Sequence, residues 1–430
     1  MSGIAVEFPR FFRLHQSFAT QSLGDPAAVT TEQLQASAAA ASICRGETVA
    51  IGVGSRGIHQ IADVTRAVVA WFHRLGAVPF VVPAMGSHGG ATAEGQIGVL
   101  RSLGITPESI GCPIRATMET VSAGTTSDGI ALQSDRWAAS ADHLVLINRV
   151  KPHTRLTGSI QSGLCKMLMI GLGNHDGAVA FHQGFKAFDY RLDQIAGDIV
   201  GKLKATLPLR LGVAIVENAC EQIGHIEVVA ADDFLHADQR LLRQATQWMP
   251  RLPFDRAELL IVDEIGKEIS GTGMDSNVIG RKSNDKLAAS DEWPKIDEIY
   301  VRGLTPATAG NASGIGIAEY THRRVADGID RIKTRINCVT AGHATAAAMP
   351  VYFDSDREVL EAVRRQSHLE SQQCRWLWIR NTLDLAEIRC SEAYLDDVAD
   401  RQDVRVDGPC VPLEFDGSGD LTEEDRRGDP

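Results

Sequence analysis

The chain has 430 residues, of which 44% are hydrophobic and 23% charged, with a formal net charge of −12. That length allows two or three domains with buried cores. No apolar run is long enough for a helical membrane span, and an acidic balance without a basic cluster argues against a nucleic-acid partner. The stretch MSGIAVEFPRFFRLHQSF lacks the apolar centre of a secretion signal, and the eight cysteines contain no CxxC pair. Reduced thiols in a cytoplasmic protein are the expectation.

In chain order, residues 1–45 read as an entry segment followed by an alanine-rich helix, TTEQLQASAAAASIC. A pattern then repeats. ETVAIGV predicts a strand ending in GSRG, and IHQIADVTRAVVAWFHRLG a helix. AVPFVVPAM predicts a strand ending in GSHGG, and ATAEGQIGVLRSLG a helix. HLVLINRV predicts a third strand ending in KPHT, and LRLGVAIVENA a further buried one. Strand, glycine-rich turn and helix in alternation indicate a parallel sheet. The prolines of WMPRLPFDRA mark a boundary near residue 250. Beyond it, AELLIVDEIG, IDEIYVRGL and RINCVTAGH predict strands, whereas EVLEAVRRQ and AEIRCSEAYLDDVAD predict helices. The expected organisation is therefore an α/β domain over 1–250, a second over 251–412 and an acidic, disordered tail over 413–430. Both domains carry largely parallel sheets, with an active-site cleft between them.

Ligands of parallel sheets sit beyond the carboxyl ends of the strands, where turns expose N–H groups and helix N-termini. Three such ends here deliver Arg56, His88 and His153. One loop histidine is most often a solvated or capping residue. Three strand ends that each carry a ligand-handling group point to a shared site. Histidine moves protons near neutral pH, and arginine holds a carboxylate through paired hydrogen bonds. The turns GSRG and GSHGG are not in themselves GxGxxG fingerprints and no GxxxxGK[ST] occurs, which weakens dinucleotide and P-loop readings.

Lys166 lies in LCKMLMIGL, surrounded by apolar side chains. An ammonium there is costly unless paired or neutralised. It is either a snorkelling lysine or one joined covalently to something. His175 and His182 on one unbroken helix would lie about 10 Å apart along its axis, too far to share a metal.

The order of GSRG, GSHGG, KPHT, SGLCKMLMIGLG, a histidine sixteen residues after the lysine, and GTGMDSN resembles the nickel-dependent lactate racemase family over most of residues 45–285. The resemblance implies a nickel pincer nucleotide, a nicotinate-derived mononucleotide with two sulfur groups, attached covalently to Lys166. It implies His182 as the nickel ligand, His88 and His153 as acid–base pair, and Arg56 as a substrate ligand. The implied reaction is racemisation or epimerisation of a 2-hydroxy acid by proton-coupled hydride transfer through a 2-oxo acid. One histidine would serve each enantiomer, and cofactor-assembly enzymes would be partners.

Where the family has a glutamine and a lysine after the second-domain motif, DSNVIGRK offers Gly280, with Arg281 or Lys282 standing in for the lysine. Arg281 is accordingly an expected substrate ligand, and the small Gly280 suggests a roomier pocket for a larger hydroxy acid. Asp263, Glu264, Lys267, the 311–324 turn and His343 are lesser candidates, each balanced by a structural explanation. Cys165 reads as a small core residue, and Trp376 and Trp378 as strand core. The competing readings are a nicotinamide-dependent oxidoreductase, which leaves Lys166 unexplained, and a non-catalytic binder of metal or nucleotide, which would not require two bases.

Overall fold

The computed structural model describes residues 6–18, 20–55, 57–185, 188 and 191–422, without the side chains of 182–185. The chain forms two compact units. One spans 20–249; the other is discontinuous and joins 6–18 to 250–422. The first segment thus belongs with the second half of the chain, where the sequence suggested a single 1–250 domain. The reason is long-range pairing: the strand Phe11–Gln16 lies between Glu387–Ser391 and Val404–Val411, antiparallel to both.

In unit 20–249 the sheet order is Val78–Pro83, Thr48–Val53, His143–Arg149, Leu209–Glu217, Ile223–Ala230. The first four strands are parallel and the last is antiparallel. Successive residues point to opposite faces, so each strand feeds two cores. Val49, Ile51, Val145 and Val213 pack with Val64, Val68 and Phe72 of the helix Ile61–Arg74. Ala50, Phe80, Leu146 and Ala214 pack with Leu164, Leu168, Leu203 and Phe234 on the other side. Burial on both faces explains why these strands read as apolar runs with no polar alternation.

The other unit carries an eight-stranded sheet. Val351–Phe353, Tyr320–His322, Lys295–Val301, Arg256–Val262 and Trp376–Ile379 run parallel, and the remaining three strands extend it antiparallel. Both halves are mixed α/β with mainly parallel sheets, as expected. Two elements differ from expectation. RINCVTAGH is helical over Arg331–Thr340, started by Asp330 accepting from the N–H groups of Ile332 and Lys333. AEIRCSEAYLDDVAD holds the strand Glu387–Ser391 before its short helices.

The expected tail also differs. Residues 423–430 lie outside the described chain, but 413–422 are folded into this unit. Phe415 bridges Leu421, which is buried, and Leu421 donates its N–H to Asp356. Among the described residues no helix is long and apolar enough to cross a membrane.

Candidate functional site

The carboxyl edge of the parallel strands in unit 20–249 carries His88 and His153, two of the residues that the sequence singled out. Thr48–Val53 is followed by Ser55, Val78–Pro83 by His88, and His143–Arg149 by His153. Ser55 and His88 join the first two of these ends, Oγ lying 2.5 Å from Nδ1. Arg56 itself lies outside the described residues.

Lys166 ends the short helix Gly163–Lys166, which continues as a wider turn, Met167–Gly171. Three contacts fix this segment to the strand ends. The N–H of Gly86, two residues before His88, donates to the Gly171 carbonyl at 2.9 Å. Ser162 Oγ accepts from the N–H of Lys151 and donates to its carbonyl, at 2.8 and 2.7 Å. The N–H of His153 donates to Gln161 Oε1 at 3.0 Å. A Cβ at Gly171 would lie 2.6 Å from the Ala84 carbonyl oxygen, so this close approach demands glycine. The apolar residues after Lys166 are core, since Leu168, Met169 and Leu172 are buried, while Lys166 itself is half-buried.

Beneath the turn sits Asp238, 1% exposed, accepting from the N–H groups of Leu164 and Cys165 at 3.1 and 2.7 Å. Burial raises its carboxyl to about 6 against those two donors. Cys165 is buried, and burial together with Asp238 pushes its thiol upward, so it is a core residue and no reactive thiolate. The next helix, Asn174–Phe185, starts at Asn174, which has a left-handed backbone and whose side-chain amide donates to Asp135 and to the Thr117 carbonyl. His175 is exposed on it. His182 belongs to the same helix, but its side chain lies outside the description.

The edge therefore offers a half-buried amine and two imidazoles on interlocked loops. A lysine there fits attachment of an acyl-type group, and an imidazole fits proton exchange with an oxygen.

No sequence-family profile and no curated protein sequence matches the chain. Two solved structures are similar in fold. A Thermotoga maritima protein from a structural genomics consortium has a TM-score of 0.48 at 15% identity, over 75% of this chain and 83% of that one. The lactate racemase apoprotein of Thermoanaerobacterium thermosaccharolyticum has a TM-score of 0.47 at 11% identity, over 65% and 68%.

In the other unit the expectation for Arg281 is corrected. Its side chain is 1% exposed and donates to the Ile317 carbonyl and Glu319 at 2.8 Å, and to the Ile296 and Asp297 carbonyls at 3.0 Å. Those bonds hold strands and loops together, so Arg281 is a structural arginine and not a substrate ligand. Gly280 is corrected with it. Its φ is +67°, and a Cβ would lie 1.9 Å from the Pro294 oxygen, so the backbone requires glycine whatever the pocket size.

Lys282 is different. Its Nζ donates to Asn277 at 3.2 Å, and burial lowers the ammonium to about 8 although Asp275 and Glu292 oppose the shift. His343 is engaged by Asp285 at 2.7 Å and Lys267 by the Gly271 carbonyl at 2.6 Å. In the 311–324 turn, a Cβ at Gly314 would strike the Thr272 oxygen at 1.7 Å, so that glycine serves packing.

Sequence reasoning named Asp263 but missed the cluster around it. Asp263, Arg302, His322 and Asp356 follow or end four parallel strands of this unit. Arg302 is paired with Asp263 and with Asp356, the latter fully buried. Tyr300 and Arg324 also donate to Asp356, while Asp420 bonds His322 and Arg324. His322, Asp356 and Asp420 bring ligand-type atoms within 4.8 Å of one another. Their oxygens already receive arginines, a tyrosine and a main-chain N–H, so the cluster is a satisfied ion-pair assembly that does not fit a metal. The strand-end rule applied to IDEIYVRG would have found Arg302.

Proposed function

We propose that the chain is a racemase or epimerase of a 2-hydroxy acid that carries a nickel pincer nucleotide on Lys166. The observation that carries this reading is the fastening of the Lys166 segment to the His88 and His153 loops at one sheet edge. Lys166 would hold the nucleotide through a thioamide, and the His182 imidazole would ligate nickel, a donor type suited to that metal. When bound, the group would supply a reversible acceptor for the α-hydrogen and its electron pair. Arg56 would hold the substrate carboxylate. His88 and His153 would hydrogen-bond the hydroxyl and handle its proton. A cytoplasmic setting with cofactor-assembly enzymes as partners follows from this reading.

Intact-mass spectrometry tests it on protein made alongside those assembly enzymes. A covalent adduct that disappears in Lys166→Ala is expected, and an unmodified mass in that setting sinks the reading. On adduct-bearing protein, α-hydrogen exchange without net oxidation, followed over a panel of hydroxy acids, identifies the substrate.

A further inference from the structure

The turn after the strand Thr48–Val53 is fastened on both sides of Arg56. Its first part lies against the Lys166 segment, since a Cβ at Gly54 would sit 3.1 Å from the Met167 methyl and 3.5 Å from Asn148 Oδ1. Ser55 then reaches the His88 loop. Beyond residue 56, the Gly57 carbonyl accepts from Arg149 Nη1 at 3.3 Å, and the N–H of His59 donates to Glu217 Oε1 at 2.8 Å. Consecutive Cα atoms are about 3.8 Å apart, so anchors at 55 and 57 act directly on the residue between them.

Arg149 and Glu217 end two neighbouring parallel strands, His143–Arg149 and Leu209–Glu217. Their side chains are 15% and 6% exposed, and they form an ion pair through Arg149 Nη1 and Glu217 Oε2. Each partner has two tasks. It neutralises the other where a lone charge is costly, and it holds one main-chain group of the turn. A carboxylate at this edge would otherwise attract any nearby arginine, but that of Glu217 is already matched.

We infer that Arg149 and Glu217 are positioning residues for Arg56, holding the main chain of 57–59 so that Arg56 meets the substrate carboxylate. The inference rests on the function proposed above and adds two residues that neither touch the substrate nor carry its proton. Glu217 supplies the His59 contact. Arg149 supplies the Gly57 contact and the charge that keeps Glu217 from competing with the substrate for Arg56. The pair thereby sets the affinity for substrate and leaves proton transfer to the histidines.

Hydrogen exchange of the full-length protein, read by mass spectrometry, tests the contact itself. The segment 57–60, which carries the His59 amide, should exchange faster in Glu217→Ala and stay close to the parent in Glu217→Gln, which keeps an oxygen acceptor. Strand 143–149 should remain protected in both. Unchanged exchange in Glu217→Ala overturns the inference whether or not a substrate is known. On adduct-bearing protein and a hydroxy acid whose α-hydrogen exchanges, Glu217→Ala should raise KM about tenfold with kcat within about twofold of the parent. Arg149→Met leaves the Glu217 carboxylate unmatched and should raise KM at least as much, and Glu217→Gln in that background should recover part of the loss. Arg56→Ala raises KM on its own, and adding Glu217→Ala to it should cost nothing further. Arg149→Met is read in the same cycle if the alanine variant does not fold. Additive losses, or an effect confined to kcat, overturn the inference. Adduct-bearing protein that exchanges no hydroxy acid overturns the proposed function and this role with it, whereas additive losses in an active protein overturn this role alone.

Discussion

Asp238 closes over Gly163 so tightly that a methyl group at position 163 would lie 2.3 Å from its Oδ1. Gly163 also has φ +82°, where a side chain adds strain. Gly163→Ala should therefore destabilise the protein by about 2–4 kcal/mol, read as a lowered urea midpoint, and should displace the turn that ends at Lys166. A midpoint equal to that of the parent would show that Asp238 can move aside.

The same carboxylate gives a pH dependence with a defined sign. Its folded value of about 6 lies above the ordinary 3.8, so the folded state binds the proton more tightly than the unfolded one. That contribution is complete below about pH 4 and is lost as the pH rises through 6, on the order of 3 kcal/mol in total. Asp238→Asn should remove this slope, measured as unfolding free energy at pH 4, 5, 6 and 7 against the parent. Parallel curves for parent and variant would refute it.

Arg302 holds Asp263 and Asp356 in the second unit, with Nε 3.1 Å from Asp356 Oδ2. Arg302→Met takes the arginine from Asp263 and one of the two arginines from buried Asp356, and should cost about 3–5 kcal/mol. Arg302→Lys should rescue little, because an ammonium cannot reproduce the forked contacts. Calorimetry should show a lowered transition in both variants. Asp420→Ala should lower it less, since His322 and Arg324 each keep other contacts, His322 Nδ1 with the Arg324 N–H and Arg324 with Asp356.

Neighbouring cations 281 and 282 should respond differently to substitution. Arg281→Met removes bonds to five main-chain or carboxylate partners and should lower thermal stability before any effect on substrate binding. Lys282 is charged at a cost, its folded value being depressed from 10.5 to about 8. Its stability contribution is present above 10.5 and lost as the pH falls through 8. Lys282→Met should therefore raise stability more at pH 7 than at pH 10, checked by urea unfolding at both. A gain of equal size at the two pH values would exclude the charge as its cause.

The strands around residues 48–219 were legible because double-sided burial writes itself into the sequence as short β-branched runs that stop at glycine. His88 and His153 stood out in the sequence because they follow such runs, and Lys166 because it is a lone cation inside an apolar one. Ser55 was not, because a serine in GSRG carries no signal until His88 lies beside it. Arg281 misled because a cation after a glycine looks like a loop residue, and its burial against Glu319 depends on strands far away in sequence. Residues 413–422 looked too polar to fold. Their order comes from ion pairs with His322 and Arg324, partners that local composition does not reveal.

The strand Phe11–Gln16 has a consequence for synthesis. Its neighbours are Ser391 and Val411 at one end, so it waits unpaired while nearly all the intervening chain is made. The unit 20–249 has all its strands within that interval. A ribosome would therefore release a segment whose middle can finish folding before its beginning has anything to fold against.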